Sequence, residues 1–138
     1  MDSKKFLTAT IAGAFAMFVL GFLIYGVLLD SFFRANSSSA ALMKVQPDFV
    51  PLILAQLGWG AFLALVLGQW GGVSTLAGGI RAGGILGALL GIAFDLEMFA
   101  TMNMSNLQAT LVDILTQVVR FGIAGGVVGQ VLGMGARR

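Results

Sequence analysis

Six side chains able to ionise or to hydrogen-bond strongly interrupt long apolar stretches of this 138-residue sequence: Tyr25, Gln56, Asp95, Asp113, Gln117 and Arg120. Asp95 continues a series of glycines, Gly79, Gly83, Gly87 and Gly91, that recur at every fourth residue. On a helix, such spacing keeps the series along one face. Asp113, Gln117 and Arg120 are separated by four and three residues and share a face by the same rule. Counted from Met104, Asp95 lies nine residues back and Asp113 nine forward, so a helical hairpin turning there sets the two carboxylates at matching depth. Gln56 and Tyr25 fall at a similar level, seven and four residues inside the ends of their own apolar runs. Helical side chains lean toward the helix N-terminus. Arg120 is therefore expected to reach back toward Gln117 and to balance Asp113, Asp95 or both, since two close carboxylates repel. A cluster of this kind has two chemical uses. It can lock helices in register by hydrogen bonding, or it can hold a proton, a cation or a small polar ligand. Glu97 would stand near the mouth of such a site, or be a solvated acid at the membrane interface.

The elements that must position these groups are overwhelmingly apolar. Hydrophobic residues make up 58% of the chain and charged residues 10%, against about 25% charged in a soluble domain; the mean hydropathy is +0.96. The apolar residues gather into four runs, 6–29, 49–70, 79–102 and 110–132. Each is close to the ~20 residues that a membrane-spanning helix requires. The expected fold is all-α: a polytopic membrane protein with four transmembrane helices in an antiparallel bundle, forming one transmembrane domain over 1–138. Lys4 and Lys5 precede an apolar run much longer than the ~7–15 residues of a signal-peptide core, so that run reads as a retained first helix.

Four spans put both termini on one side. Lys4, Lys5, Arg81, Arg137 and Arg138 mark that side, against Arg34 and Lys44 on the other. The excess predicts cytoplasmic termini by the positive-inside rule. The chain breaks at "NSSSA" and "QPDFVP", with Pro51 suited to the first turn of the second span, and a short surface helix is expected around 40–45. Trp59 suits core packing and Trp70 an interfacial position. The link "NMSN" is so short that the third and fourth spans must be antiparallel neighbours.

Lipid tails are as apolar as leucine, so spans associate through close packing and hydrogen bonding, which small residues permit. Gly79, Gly83, Gly87 and Gly91 supply one such face. Gly122 and Gly126 form a row on the fourth span, with Gly125, Gly129 and Gly133 in another. These rows predict tight packing within the bundle, and also offer a seam for a homo-oligomer or for other membrane subunits.

Histidine and cysteine are both absent. The first absence removes the Ser–His–Asp arrangement and the commonest metal and haem ligand; the second removes disulfides and thiolate chemistry. Ser37, Ser38 and Ser39 read as a loop tract. The glycines lie inside a span with no G-K-[ST] after them, so they form no phosphate loop. No enzyme, metal or cofactor is expected, and the formal charge of +2 calls for no nucleic-acid partner.

The second half, "AGGILGALLGIAFDLEMFATMNMSNLQATLVDILTQVV", resembles small bacterial four-helix integral membrane proteins of unknown function. Their later helices carry G-x-x-x-G, then D-L-T-N-x-A-T, a short turn and V-D-I-x-W-G. Gly83, Gly87, Asp95, Leu96, Ala100, Thr101, Val112, Asp113 and Ile114 match that pattern. Glu97 and Met98 replace its Thr-Asn, and Thr116 and Gln117 stand where Trp-Gly would be. The segment "VLGFLIYGVLLDSFF" is similar to another such family with G-x-x-W-Y, Ile24 replacing the Trp. The resemblance implies a stand-alone four-helix fold in a bacterial inner membrane, with the two aspartates as pattern positions. The expected function is that of a non-catalytic structural or accessory subunit of a membrane assembly. The alternative is a small transporter or channel for protons, cations or small polar solutes. A lipid-handling or pigment-contacting module has only apolarity in its favour.

Overall fold

The computed structural model describes residues 1–134, and Arg137 and Arg138, used above for orientation, lie outside the described residues. The architecture is all-α. Helix α1 (Ser3–Gly21) continues into a π-helical segment, Phe22–Leu28, and is followed by the short α2 (Asp30–Asn36) and a 3-10 turn, Ser38–Leu42. Helix α3 (Phe49–Leu63) likewise continues into a π-helical segment, Ala64–Trp70; α4 (Leu76–Thr101) and α5 (Leu107–Gly133) complete the chain. The two composite helices, α4 and α5 are long and apolar enough to cross a membrane.

The helix starts follow from capping, which extends three of the four spans beyond their apolar runs. Asp2 accepts from the Lys5 amide at 2.7 Å, Thr75 from Gly78 at 3.1 Å and Asn106 from Ala109 at 2.8 Å, each satisfying one amide that a helix N-terminus leaves orphaned. Pro51 lies in the first turn of α3, where a missing N–H costs little. Gly72, at φ +61°, turns the chain after Trp70 so that the Val73 amide reaches back to the Leu67 carbonyl at 2.8 Å. The short helix expected around 40–45 is replaced by α2, which begins ten residues earlier, and by the 3-10 turn. Asp30 and Arg34, four residues apart and paired at 2.9 Å, support α2.

The most extensive contact is between α4 and α5, with α1 packed on α3 and on α5; α3 and α4 scarcely touch. The order across the bundle is therefore α3, α1, α5, α4, open between its two outer members. Glycines decide both close approaches. A Cβ on Gly79 would meet the Gly125 backbone, one on Gly83 the Phe121 carbonyl, and one on Gly87 the Gln117 carbonyl and, at 2.8 Å, Phe121 Cβ. Gly91 lies over the Ile114 backbone, 3.1 Å from where its Cβ would be. From the other side, Gly125 and Gly129 face the Gly79 and Gly83 backbone, whereas Gly126 faces the Ile80 side chain and Gly122 is looser, with nothing nearer than 3.6 Å. On the α1–α3 side, Gly13 meets Gly60 backbone to backbone. Phe121, Met17, Leu63, Leu67 and Val128 fill the centre, and Trp59 packs edge-on against Phe121 with ring centroids 5.2 Å apart. Trp70 is exposed, as an interfacial residue would be.

Gly87→Leu is expected to lower the unfolding free energy by at least about 2 kcal/mol, because the atoms opposite are largely backbone. Gly58→Ala, with nothing within 4 Å of its new Cβ, should leave stability unchanged or raise it by up to about 1 kcal/mol. Thermal unfolding in detergent measures both, and an unchanged Tm for Gly87→Leu would contradict the packing described.

Candidate functional site

The polar groups collect toward the distal end of the bundle, the end carrying the 30–48 and 102–106 connections. That end is closed by a clasp. Ser37 Oγ donates to the Met104 carbonyl at 2.7 Å, Ser38 Oγ to the Asn103 carbonyl at 2.9 Å, and the Ser38 amide to Met104 at 2.9 Å. Asn106 donates through its side chain to Asn36 Oδ1 at 2.8 Å and through its amide to the Asn36 carbonyl at 3.1 Å. The serine tract thus fastens the long connection onto the α4–α5 turn. Beneath it lies a cavity of about 250 Å³, walled by α2, the 3-10 turn, the hairpin tip and the distal ends of α4 and α5. Tyr25, Asp95 and Asp113 line it from the bundle side, and Asp30 and Arg34 from the α2 side. Asp30 holds the exposed Arg34 guanidinium through both carboxylate oxygens and pushes it up from its ordinary value by hydrogen bonding and charge.

Tyr25 reaches this level from the π-helical segment of α1. A π turn carries one more residue than an α turn and so re-aims the side chains that follow it. Its hydroxyl donates to Asp113 Oδ1 on α5 and accepts from Gln117 Nε2, one turn further along, at 3.0 Å. Asp95 of α4 stands beside Asp113, near enough for the two carboxyl groups to interact directly. Its Oδ2 is buried and has no hydrogen-bond partner.

Arg120 belongs to a second, deeper group. Its Nη2 donates to Gln56 Oε1 on α3 at 3.0 Å and to the Met17 carbonyl on α1 at 2.9 Å. Gly21 makes room for it: a Cβ there would lie 2.8 Å from Nη2. The expected balance of Arg120 against Asp113 or Asp95 takes no form of direct contact, although Asp113 is near enough for its charge to act on the guanidinium. Among the described residues the only ion pairs are Arg34–Asp30 and Lys44–Asp48. The guanidinium instead ties three helices together through neutral oxygens, and it stands over the Tyr25 ring, 6.0 Å from the centroid. The physical reason is competition. Tyr25 takes up both Asp113 and Gln117, while the glycine at 21 exposes backbone oxygen to Arg120.

The six residues singled out by sequence thus fall into two adjoining groups: Tyr25, Asp95, Asp113 and Gln117 outside, Gln56 and Arg120 inside. Glu97 is exposed on α4 and does not line the cavity. Sequence reasoning missed the clasp residues Asn36, Ser37, Ser38 and Asn106, and also Phe33, which stacks near Tyr25 at 5.5 Å. The Asp30–Arg34 spacing could have revealed α2; nothing in a run of serines announces what it will bind. No protein-family model, curated protein or solved structure matches the chain.

Gln56→Leu leaves the Arg120 guanidinium short of an acceptor, and Tyr25→Phe strips Asp113 of its donor and Gln117 of its acceptor. Each is expected to cost about 1–3 kcal/mol. The two losses should add to within about 0.5 kcal/mol in the double variant; a larger coupling, read from unfolding curves, would mean a single network in place of two groups.

Proposed function

We propose that this chain is a non-catalytic multi-pass membrane protein of the bacterial inner membrane, with cytoplasmic termini, that takes up a proton or small cation from the outer face into the distal cavity. The reading rests on one observation. Asp95 and Asp113 both line the distal cavity, and Asp95 Oδ2 is buried without a donor, while the intramembrane arginine is engaged elsewhere. A register lock is strongest when its members are satisfied, and the Arg120–Gln56–Met17 group comes nearer to that, with three hydrogen bonds from the guanidinium to two oxygens. The aspartate pair does not, since the one hydroxyl nearby donates to Asp113 and leaves Asp95 Oδ2 without a donor. Intramembrane acids cost ~2.5–3.5 kcal/mol each even on insertion scales, and a bound proton or cation is the simplest compensation. The accessory-subunit role and homo-oligomerisation gain less support, because the Gly79–Gly91 stripe and the Gly125–Gly129 row are occupied by the chain's own helices.

Dicyclohexylcarbodiimide, which modifies protonated carboxyl groups in apolar surroundings, tests the reading. Incubated with the protein in lipid nanodiscs, it is expected to label Asp95 or Asp113, as located by peptide mass spectrometry. Labelling should slow at least severalfold when a monovalent cation (sodium, potassium or tetramethylammonium) is added. Absence of labelling would leave the pair as a static lock and overturn the proposal, whereas labelling indifferent to all three cations would assign the pair to a proton alone.

A further inference from the structure

We infer that the occupant of the distal cavity is a small organic ammonium ion, held between the Asp95–Asp113 carboxylates and the Tyr25–Phe33 ring pair. The inference rests on the cation reading above and narrows it to a chemical class. The charge comes first. Asp30, at the α2 side of the cavity, is taken by Arg34 at 2.9 Å, and Arg120 does not line the cavity. Of the acids that line the cavity, Asp95 and Asp113 are therefore the two that form no ion pair. The walls come second. Tyr25 and Phe33 line the cavity with ring centroids 5.5 Å apart and planes inclined at 37°, and Met43, Met98 and Met104 supply apolar, polarisable surface. Aromatic faces beside a carboxylate recognise alkylated ammonium groups through the ring quadrupole, whereas hard metal ions such as Ca²⁺ and Mg²⁺ demand about six or more oxygen ligands. Among the described residues no three acidic side chains converge to offer them.

Size points the same way. The cavity, at about 250 Å³, is larger than a bare ion needs and falls just short of the ~300 Å³ at which drug-sized sites begin. Asp95 also borders a second cavity of about 190 Å³ on the open α3–α4 side, lined by Trp59, Leu90, Phe94 and Phe121. Asp95 is thus the one residue that the two cavities share.

Isothermal titration calorimetry on the whole protein in nanodiscs, with tetramethylammonium, choline and sodium as chlorides, is the test. Either organic ion should bind at least tenfold more tightly than sodium. Asp95→Asn, which removes no observed hydrogen bond, should weaken organic-ion binding at least tenfold. Phe33→Leu, which keeps an apolar wall but removes the ring, should weaken it threefold to tenfold. Organic ions without heat, while sodium or potassium still slows carbodiimide labelling, would overturn this inference and leave the cation reading standing. If no cation protects, this inference falls, and the proposed uptake falls with it if the carboxyls do not label either. Organic-ion binding unchanged in both variants would place it elsewhere on the protein and overturn the assignment. Tight binding of silver(I) with the ammonium ions silent would also overturn it, assigning the cavity to the three thioethers and a soft metal.

Discussion

The contact on which everything else depends is the approach of α4 to α5 along glycine. In lipid no hydrophobic force draws two apolar helices together, and their adhesion comes from atoms meeting closely over a long seam. Gly79, Gly83, Gly87 and Gly91 let that seam form against backbone, and the series has a consequence beyond adhesion. Its next member is Asp95. A side chain on the line of closest approach cannot turn to the lipid, so the carboxylate is carried into the α4–α5 groove beside Asp113. The same geometry that stabilises the hairpin therefore creates its electrostatic difficulty.

The rest of the bundle contains only part of the remedy. Helix α1 contributes Tyr25, which satisfies Asp113 and Gln117, and a carbonyl that, with Gln56 of α3, satisfies Arg120. Both arrangements depend on departures from a regular helix surface: a π-helical segment that presents Tyr25, and Gly21, whose missing side chain admits the guanidinium. The result is a well-satisfied inner tie across α1, α3 and α5 and an under-satisfied outer pair between α4 and α5. The open side between α3 and α4 belongs to the same picture. The polar tie draws α3 toward α1 and α5, and α4 is held by its own glycine seam, so nothing draws α3 and α4 together.

Much of this was legible in the sequence. The four apolar runs mark the four long helices, and the glycine period fixes which face of α4 meets α5, because a close approach has one common cause in every helix pair. The short "NMSN" link makes the hairpin, and with it the matching depth of Asp95 and Asp113, a matter of counting. The partners of Arg120 were not legible. Helical spacing says which residues share a face of α5, but Met17 acts through its carbonyl, and backbone groups leave no trace in residue type. The π-helical segments are equally silent, since their apolar residues suit either helix. The clasp was hidden for a related reason: Ser37 and Ser38 bind the Met104 and Asn103 carbonyls, and any residue in those two places would have offered the same oxygen.

The difference between the two polar groups is what separates a structural role from a binding role. Removing charges from water is repaid inside a protein only when geometry and hydrogen bonds are nearly complete. Arg120 comes nearer to that condition, through the Met17 and Gln56 oxygens that the helices already carry. Asp95 and Asp113 fail it in a particular way. In the proposed reading their missing partner is positive, and the space where it would stand is the cavity lined by the clasped end of the bundle. If the pair served cohesion alone, replacing Asp95 by a small apolar residue would lengthen the glycine seam by one more turn and remove the repulsion with it. That a carboxylate occupies this position, on the line of closest packing and with an oxygen left bare, argues that its charge is used.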